Sequence, residues 1–121
     1  MSQTRRIQKV SSLLKKELSL ILNHDLDEPM ISDNFISISK IEISPDLYYC
    51  KIYITSAVED EKKEKMVDSL NNLKSVIRHQ LTQRVEMRRI PELTFKIDRG
   101  LEKGLAVLKV LDKLRDQENN L

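Results

Sequence analysis

Apolar residues recur along the chain with two periods, and each change of period marks an element. From Thr4 to Asn23, Ile7, Val10, Leu14, Leu18, Ile21 and Leu22 return at helical spacing. That spacing predicts an amphipathic helix with one core-facing stripe. Arg5, Arg6, Lys9, Lys15 and Lys16 lie mostly outside the stripe. The run Asp25-Leu26-Asp27-Glu28-Pro29 ends the helix and reads as an acidic loop, since it lacks the turn glycine and distal glutamate of a calcium-binding EF-hand. From Phe35 to Ser44 the period becomes two. Ile36 and Ile38 share one parity and Ile41 and Ile43 the other, so a β-bulge is expected near Ser39 and Lys40. Ser44-Pro45-Asp46 makes a turn, and Tyr48 to Thr55 forms the return strand of a hairpin. Alternation points Tyr48, Cys50, Ile52 and Ile54 toward the helices and Tyr49, Lys51, Tyr53 and Thr55 outward.

Helical spacing resumes from Glu59 to about Arg88, with Met66, Leu70, Leu73, Ile77, Leu81 and Val85 on one stripe and acids gathered at the amino end, where the helix dipole favours them. Roughly 30 residues at about 1.5 Å each would span about 45 Å. A domain of this length should be only about 35 Å across. A break is therefore expected between Asn71 and Ser75, where residues of poor helix propensity gather. Pro91 excludes helix at Ile90, and Leu93, Phe95 and Ile97 alternate with Thr94, Lys96 and Asp98 in a third strand. Leu101, Leu105, Leu108, Leu111 and Leu114 repeat at helical spacing in a final helix that frays beyond Arg115. Gly100 and Gly104 ease the turn into it. The order helix, strand, strand, kinked helix, strand, helix predicts an α+β two-layer sandwich: a three-stranded mixed sheet, its third strand brought back parallel by the helical crossover, with the helices on one face. A chain of 121 residues supports one domain, 1–121, with a core over about 4–114 and a short tail over 115–121.

Composition narrows the class. At 33% charged and 40% hydrophobic the chain reads as an ordinary soluble globular protein, with no membrane-length apolar run and no signal-peptide core, and a cytoplasmic location is expected. Cys50 is the only cysteine, which rules out an internal disulfide and argues against a cysteine-based zinc site. Its parity makes it a small buried hydrophobe.

The net charge of +2 conceals three blocks. Residues 1–24 carry five cations against one acid, residues 25–68 five lysines against eleven acids, and residues 69–99 seven cations against three acids. Two blocks of +4 around one of −6 describe either a surface polarised toward a polyanion or a set of solvated faces that never converge. Three arginines, Arg84, Arg88 and Arg89, fall within six residues at a helix-to-strand junction, a placement suited to gripping phosphate or carboxylate.

An enzyme would need clustered carboxylates for a metal, or a histidine with a positioned partner. The acids of 25–28 and 59–64 sit in a solvated loop and a helix start; His79 reads as a surface residue and His24 as one near a helix end. No catalytic residue, metal ligand or cofactor is assigned. Asp98 and Glu92 flank a strand as a cap and an ion-pair partner. Tyr49, Lys51 and Tyr53 could stack on bases, or the tyrosines could simply be good strand formers.

The element order and particular residues together resemble the bacterial ribosome-binding factor A family, whose fold is a K-homology domain of the second type. The resemblance runs from Arg6 to about Leu114. It rests on the basic first helix, Glu28-Pro29, Ile43-Ser44 followed by Asp46-Leu47, Lys51 with Tyr53, Ile77-Arg78, Arg88 leading into Pro91-Glu92-Leu93-Thr94-Phe95, and Asp98 with Gly104 beyond. It implies a non-enzymatic assembly factor that binds the free small ribosomal subunit and its rRNA. It further implies assistance in late maturation, including processing at the 5′ end, and an association with growth at low temperature. Neighbouring ribosomal proteins or other assembly factors are further implied partners, and a monomer is expected because no seam of exposed apolar residues demands a dimer. One departure stands out. General K-homology domains grip nucleic acid with a Gly-x-x-Gly loop, replaced in this family by an Ala-x-Gly kink, whereas here those positions are Leu73, Lys74 and Ser75. Without a glycine, side-chain cations must capture phosphate.

The expected RNA face therefore comprises Lys74, Arg78, Arg84, Arg88 and Arg89, joined by Arg5, Arg6 and Lys9 from the first helix. Neutralising roughly five phosphates would make log affinity fall with log salt at a slope of about −3.5 to −4.5. Arg78 could instead pair with Glu42 or Asp98. The rival reading is a protein-binding adaptor that uses the outer Tyr49–Tyr53 face without touching RNA.

Overall fold

In the computed structural model, residues 2–100 are described. The chain runs α1 (Ser2–Leu20), a π-helical turn (Ile21–Asp25), α2 (Pro29–Ser32), β1 (Ser37–Ile43), β2 (Tyr49–Thr55), α3 (Asp60–Asn72), α4 (Lys74–Arg84) and β3 (Glu92–Ile97). The expected last helix and tail lie outside the described residues.

Leu14 and Leu18 on α1 are fully buried, as the apolar stripe predicts. The widened turn that follows lets the consecutive residues Ile21 and Leu22 both reach the core. The side-chain amide of Asn23 donates to the Ser19 carbonyl at 2.9 Å and brackets Ile36, donating to its carbonyl at 2.9 Å and accepting from its amide at 3.0 Å. One asparagine thus fastens the end of α1 to the entry of β1. The acidic loop expected over 25–29 is shorter than it reads. Asp25 belongs to the π turn, and Pro29, pre-set for the first position of a helix, opens α2.

The sheet order is β1-β2-β3, antiparallel between β1 and β2 and parallel between β2 and β3. The register shifts between Ile38 and Lys40, at the expected bulge. Ile38, Cys50, Ile52, Ile54, Leu93 and Phe95 line the buried face and meet Leu14, Leu18, Met66, Leu70, Ile77 and Leu81 from the helices in one core cluster. The opposite face carries Lys40, Glu42, Tyr49, Lys51, Tyr53, Glu92, Thr94 and Lys96. Burial pushes the Cys50 thiol up to about 12, so it remains a neutral packing group. Tyr48 departs from the alternation. It precedes β2 and is 46% exposed rather than facing the helices.

The long helix breaks at Leu73, within the expected interval, and α4 starts at Lys74. Leu73 has φ −94° and ψ 6°, a bridge-region conformation with negative φ that a non-glycine residue can adopt, so the bend needs no glycine. Asn71 supplies part of its cause. Its side-chain amide donates to the Phe95 carbonyl at 3.1 Å and accepts from the Phe95 amide at 2.9 Å, pinning the end of α3 to the free edge of β3. Those contacts also cap an edge that would otherwise invite strand addition.

Candidate nucleic-acid interface

Loop 85–91 connects α4 to β3, with Val85, Ile90 and Pro91 buried. The cations around it are engaged unequally. Arg78 projects from α4, and its Nη2 donates to the Ile90 carbonyl at 2.9 Å, while its Nε is buried without a partner. It therefore anchors the loop; neither Glu42 nor Asp98 is its partner. Arg84 donates to Glu17 at 3.3 Å and to Asp25, tying the end of α4 to α1 and the π turn. The hydrogen bond to Asp25, with the Glu17 carboxylate behind it, raises the already high pKa of Arg84. Its guanidinium is thus committed to internal carboxylates, unlike the free cation expected from sequence. Arg89 lies 4.4 Å from the Tyr48 ring centroid, a cation–π contact. Arg88 is exposed and meets no acid among the described residues, as does the half-buried Lys74.

The ring beneath Arg89 sits on a hydrogen-bonded turn. Asp46 Oδ1 accepts from Ser44 Oγ at 2.6 Å and from the Tyr48 amide at 3.0 Å, which holds its carboxyl below the usual range. Leu47 has φ 64°, a left-handed conformation that costs a leucine on the order of 1–2 kcal/mol. The Glu92 amide donates to the Tyr48 carbonyl at 2.8 Å, which joins the hairpin tip to the start of β3.

Arg5, Arg6 and Lys9 occupy the first turns of α1, all exposed and all without an acid partner among the described residues. Spacings of three and four make Lys9 a surface neighbour of both arginines. No hydrogen bond or ion pair links this group to the α4–β3 cations among the described residues.

On the open sheet face, Lys40 pairs with Glu42 at 2.8 Å and stands 5.8 Å from the Tyr53 ring centroid, while the Tyr53 hydroxyl donates to Glu42 at 3.4 Å. Tyr49 is 59% exposed and carries no comparable tie. Asp98 accepts from Ser39 Oγ at 2.6 Å and from the Gly100 amide at 2.9 Å, which makes an aspartate turn just after β3. Sequence reasoning passed over Phe35, which is 76% exposed, although its parity opposite Ile36 and Ile38 already placed it on the outside. Among the described residues, no three histidines, cysteines or carboxylates gather where they could hold a metal ion, and no helix is long and apolar enough to cross a membrane.

A three-stranded mixed sheet with helices on one face, a kinked helix pair leading into the parallel strand, and cations on the first helix and the helix-to-strand junction define a K-homology-like module of the second type. The family model for ribosome-binding factor A matches residues 6–111, and the chain belongs to that family. A ribosome-binding factor A from Prochlorococcus marinus subsp. pastoris is 55% identical over 120 residues, covering 99% of this chain and 91% of the relative. The crystal structure of ribosome-binding factor A from Thermus thermophilus superposes with a TM-score of 0.66 at 22% identity, over 77% of this chain and 96% of that one. A homology model of the Thermus thermophilus factor, as fitted into the cryo-EM map of its complex with the 30S subunit, gives a TM-score of 0.60 at 24% identity, over 73% of this chain and 90% of that one.

Proposed function

We propose that this protein is a non-enzymatic assembly factor that binds the free small ribosomal subunit through its rRNA and assists late maturation, including processing of the 5′ end. The observation that carries this reading is the unneutralised set Arg5, Arg6, Lys9, Lys74 and Arg88 on a chain of the ribosome-binding factor A family. Cations without acid partners keep their attraction for phosphate, and phosphate contacts position a protein on RNA without reading its sequence. Specificity then comes from the shape of the folded RNA and from adjoining ribosomal proteins. Arg89 adds a guanidinium already oriented by Tyr48. Arg78 and Arg84 contribute indirectly, by fixing loop 85–91 and the end of α4.

The adaptor alternative has one observation in its favour, the exposed ring of Tyr49. Tyr53 is tied into the Lys40–Glu42 pair, which leaves that face polar and self-satisfied rather than primed for a protein partner.

Cosedimentation of the purified protein with separated small subunits, large subunits and joined ribosomes tests the proposal. Comigration with free small subunits alone is the expected result. Equal binding to both subunits, or to neither, contradicts it. Depletion of the protein should lead to accumulation of small-subunit rRNA with an unprocessed 5′ end.

A further inference from the structure

Phe35 is the most exposed large apolar side chain among the described residues, yet its backbone is held on both sides. Its carbonyl accepts from Ser56 Oγ at 3.0 Å, Asn23 brackets the amide and carbonyl of Ile36, and the Asn34 side chain donates to the Met30 carbonyl at 3.0 Å. The ring therefore projects from a fixed base, and a partner that stacks on it need not order the chain beneath it. It stands on the lip of two open depressions. One, of about 670 Å³, lies between the end of α1 and the start of β1 and is bordered by Lys15, Lys16, Leu20 and His24. The other, of about 430 Å³, opens toward Ser56, Ala57 and Val58.

The charge around the ring is one-sided. Among the described residues, Asp33 is the only acid lining either depression. Glu17 and Asp25, the acids flanking Lys15, Lys16 and His24 in sequence, are both engaged by Arg84. Lys15 and Lys16 themselves have no acid partner among the described residues. Arg84 thus takes up Glu17 and Asp25, and Asp33 is left as the one acid set against Lys15 and Lys16 among the described residues lining the depression beside the exposed ring.

We propose that Phe35, with Lys15 and Lys16, forms a stacking site for an unpaired RNA nucleobase, whose adjoining phosphates lie over the two lysines. The inference rests on the RNA-binding reading above and adds a contact outside the cations assigned there. A projecting aromatic ring beside cations suits a base with its phosphate, because every base presents a π-face and stacking tolerates any sequence. The base must be unpaired, since a duplex keeps its faces stacked internally.

The test measures binding to free small subunits by Phe35→Ala, Phe35→Leu, Phe35→Trp and the double variant Lys15→Gln/Lys16→Gln, beside the unaltered protein. Because the ring is exposed, thermal unfolding should be the same for the Phe35 variants. Phe35→Ala is expected to weaken binding by roughly 5- to 150-fold, the range for loss of one base–aromatic stack. Phe35→Trp should retain affinity and Phe35→Leu should not restore it. The lysine double variant should reduce the salt slope by roughly 1.4 to 1.8. In parallel, p-benzoylphenylalanine placed at position 35 and irradiated on the bound particle should give an adduct with rRNA. An adduct with a ribosomal protein instead, no adduct at all, undiminished binding by Phe35→Ala, or rescue by Phe35→Leu overturns the site. If the unaltered protein itself fails to bind small subunits, the broader RNA-binding reading falls; if it binds and Phe35→Ala binds equally well, this inference alone falls.

Discussion

The first turns of α1 and the segment running from α4 into β3 both carry clustered cations, and the same side chains are used differently in the two places. Arg5, Arg6 and Lys9 stand exposed on α1 with no acid partner among the described residues. In the second region Arg78 holds the Ile90 carbonyl, Arg84 holds Glu17 and Asp25, and Arg89 covers Tyr48, which leaves Lys74 and Arg88 uncommitted. Charge counted along a sequence treats these two blocks as equals. Burial and partners separate them into a group available to a polyanion and a group that holds the loop and helix ends in place. A guanidinium can do the second task because its planar fork satisfies backbone or carboxylate acceptors while its stem packs against apolar surface.

Stability measurements sharpen that contrast, starting from the residue most deeply engaged. Arg78→Met retains the apolar stem and deletes the donor to Ile90. It should lower unfolding free energy by about 2 kcal/mol, within the range for a hydrogen bond from a charged group. Urea unfolding checks this; an unchanged midpoint would return Arg78 to the pool of free surface cations. Arg84→Gln removes the link from α4 to Glu17 and Asp25 and should lower Tm by less than Arg78→Met does. Because that link is partly open to solvent, the difference should shrink at high salt. A Tm deficit that persists at high salt would point to lost packing rather than lost charge. Arg89→Gln removes the cation above Tyr48, an exposed contact worth about 0.5–1 kcal/mol, and should show the smallest stability loss of the three. Triple replacement of Arg5, Arg6 and Lys9 by glutamine should leave unfolding free energy within about 0.5 kcal/mol, as expected for surface substitutions.

Much of the fold was legible because it follows from local period. The parity switch at Ser39–Lys40 foretold the bulge, the alternation of Cys50, Ile52 and Ile54 foretold the buried face of β2, and helix length against domain size foretold the break now seen at Leu73. What escaped reading depends on contacts distant in sequence or on small departures from regular geometry. The π turn at Ile21–Asp25 differs from an α-helix only in hydrogen bonds that span one residue more, and the apolar pattern of Ile21 and Leu22 accommodates either. Tyr48 has the parity of a core residue, but the strand begins one residue later, and Arg89, forty-one positions on, takes its ring. The pairing of Arg84 with Glu17 and Asp25 spans 67 and 59 positions, and nothing local to Arg84 announces it. Likewise the edge of β3 is closed by Asn71 from the preceding helix, a role invisible in a residue that reads only as a poor helix former. The candidate interface was therefore legible as a list of cations and illegible as a division of labour among them.

The division is tested most directly by the salt dependence of binding to free small subunits, compared between the Arg5, Arg6 and Lys9 triple variant and Arg84→Gln. Loss of three phosphate contacts should flatten the slope of log affinity against log salt by about 2 to 3 for the triple variant, with the slope for Arg84→Gln essentially that of the unaltered protein. Equal slopes for the triple variant and the unaltered protein, or a larger flattening for Arg84→Gln, would contradict the account.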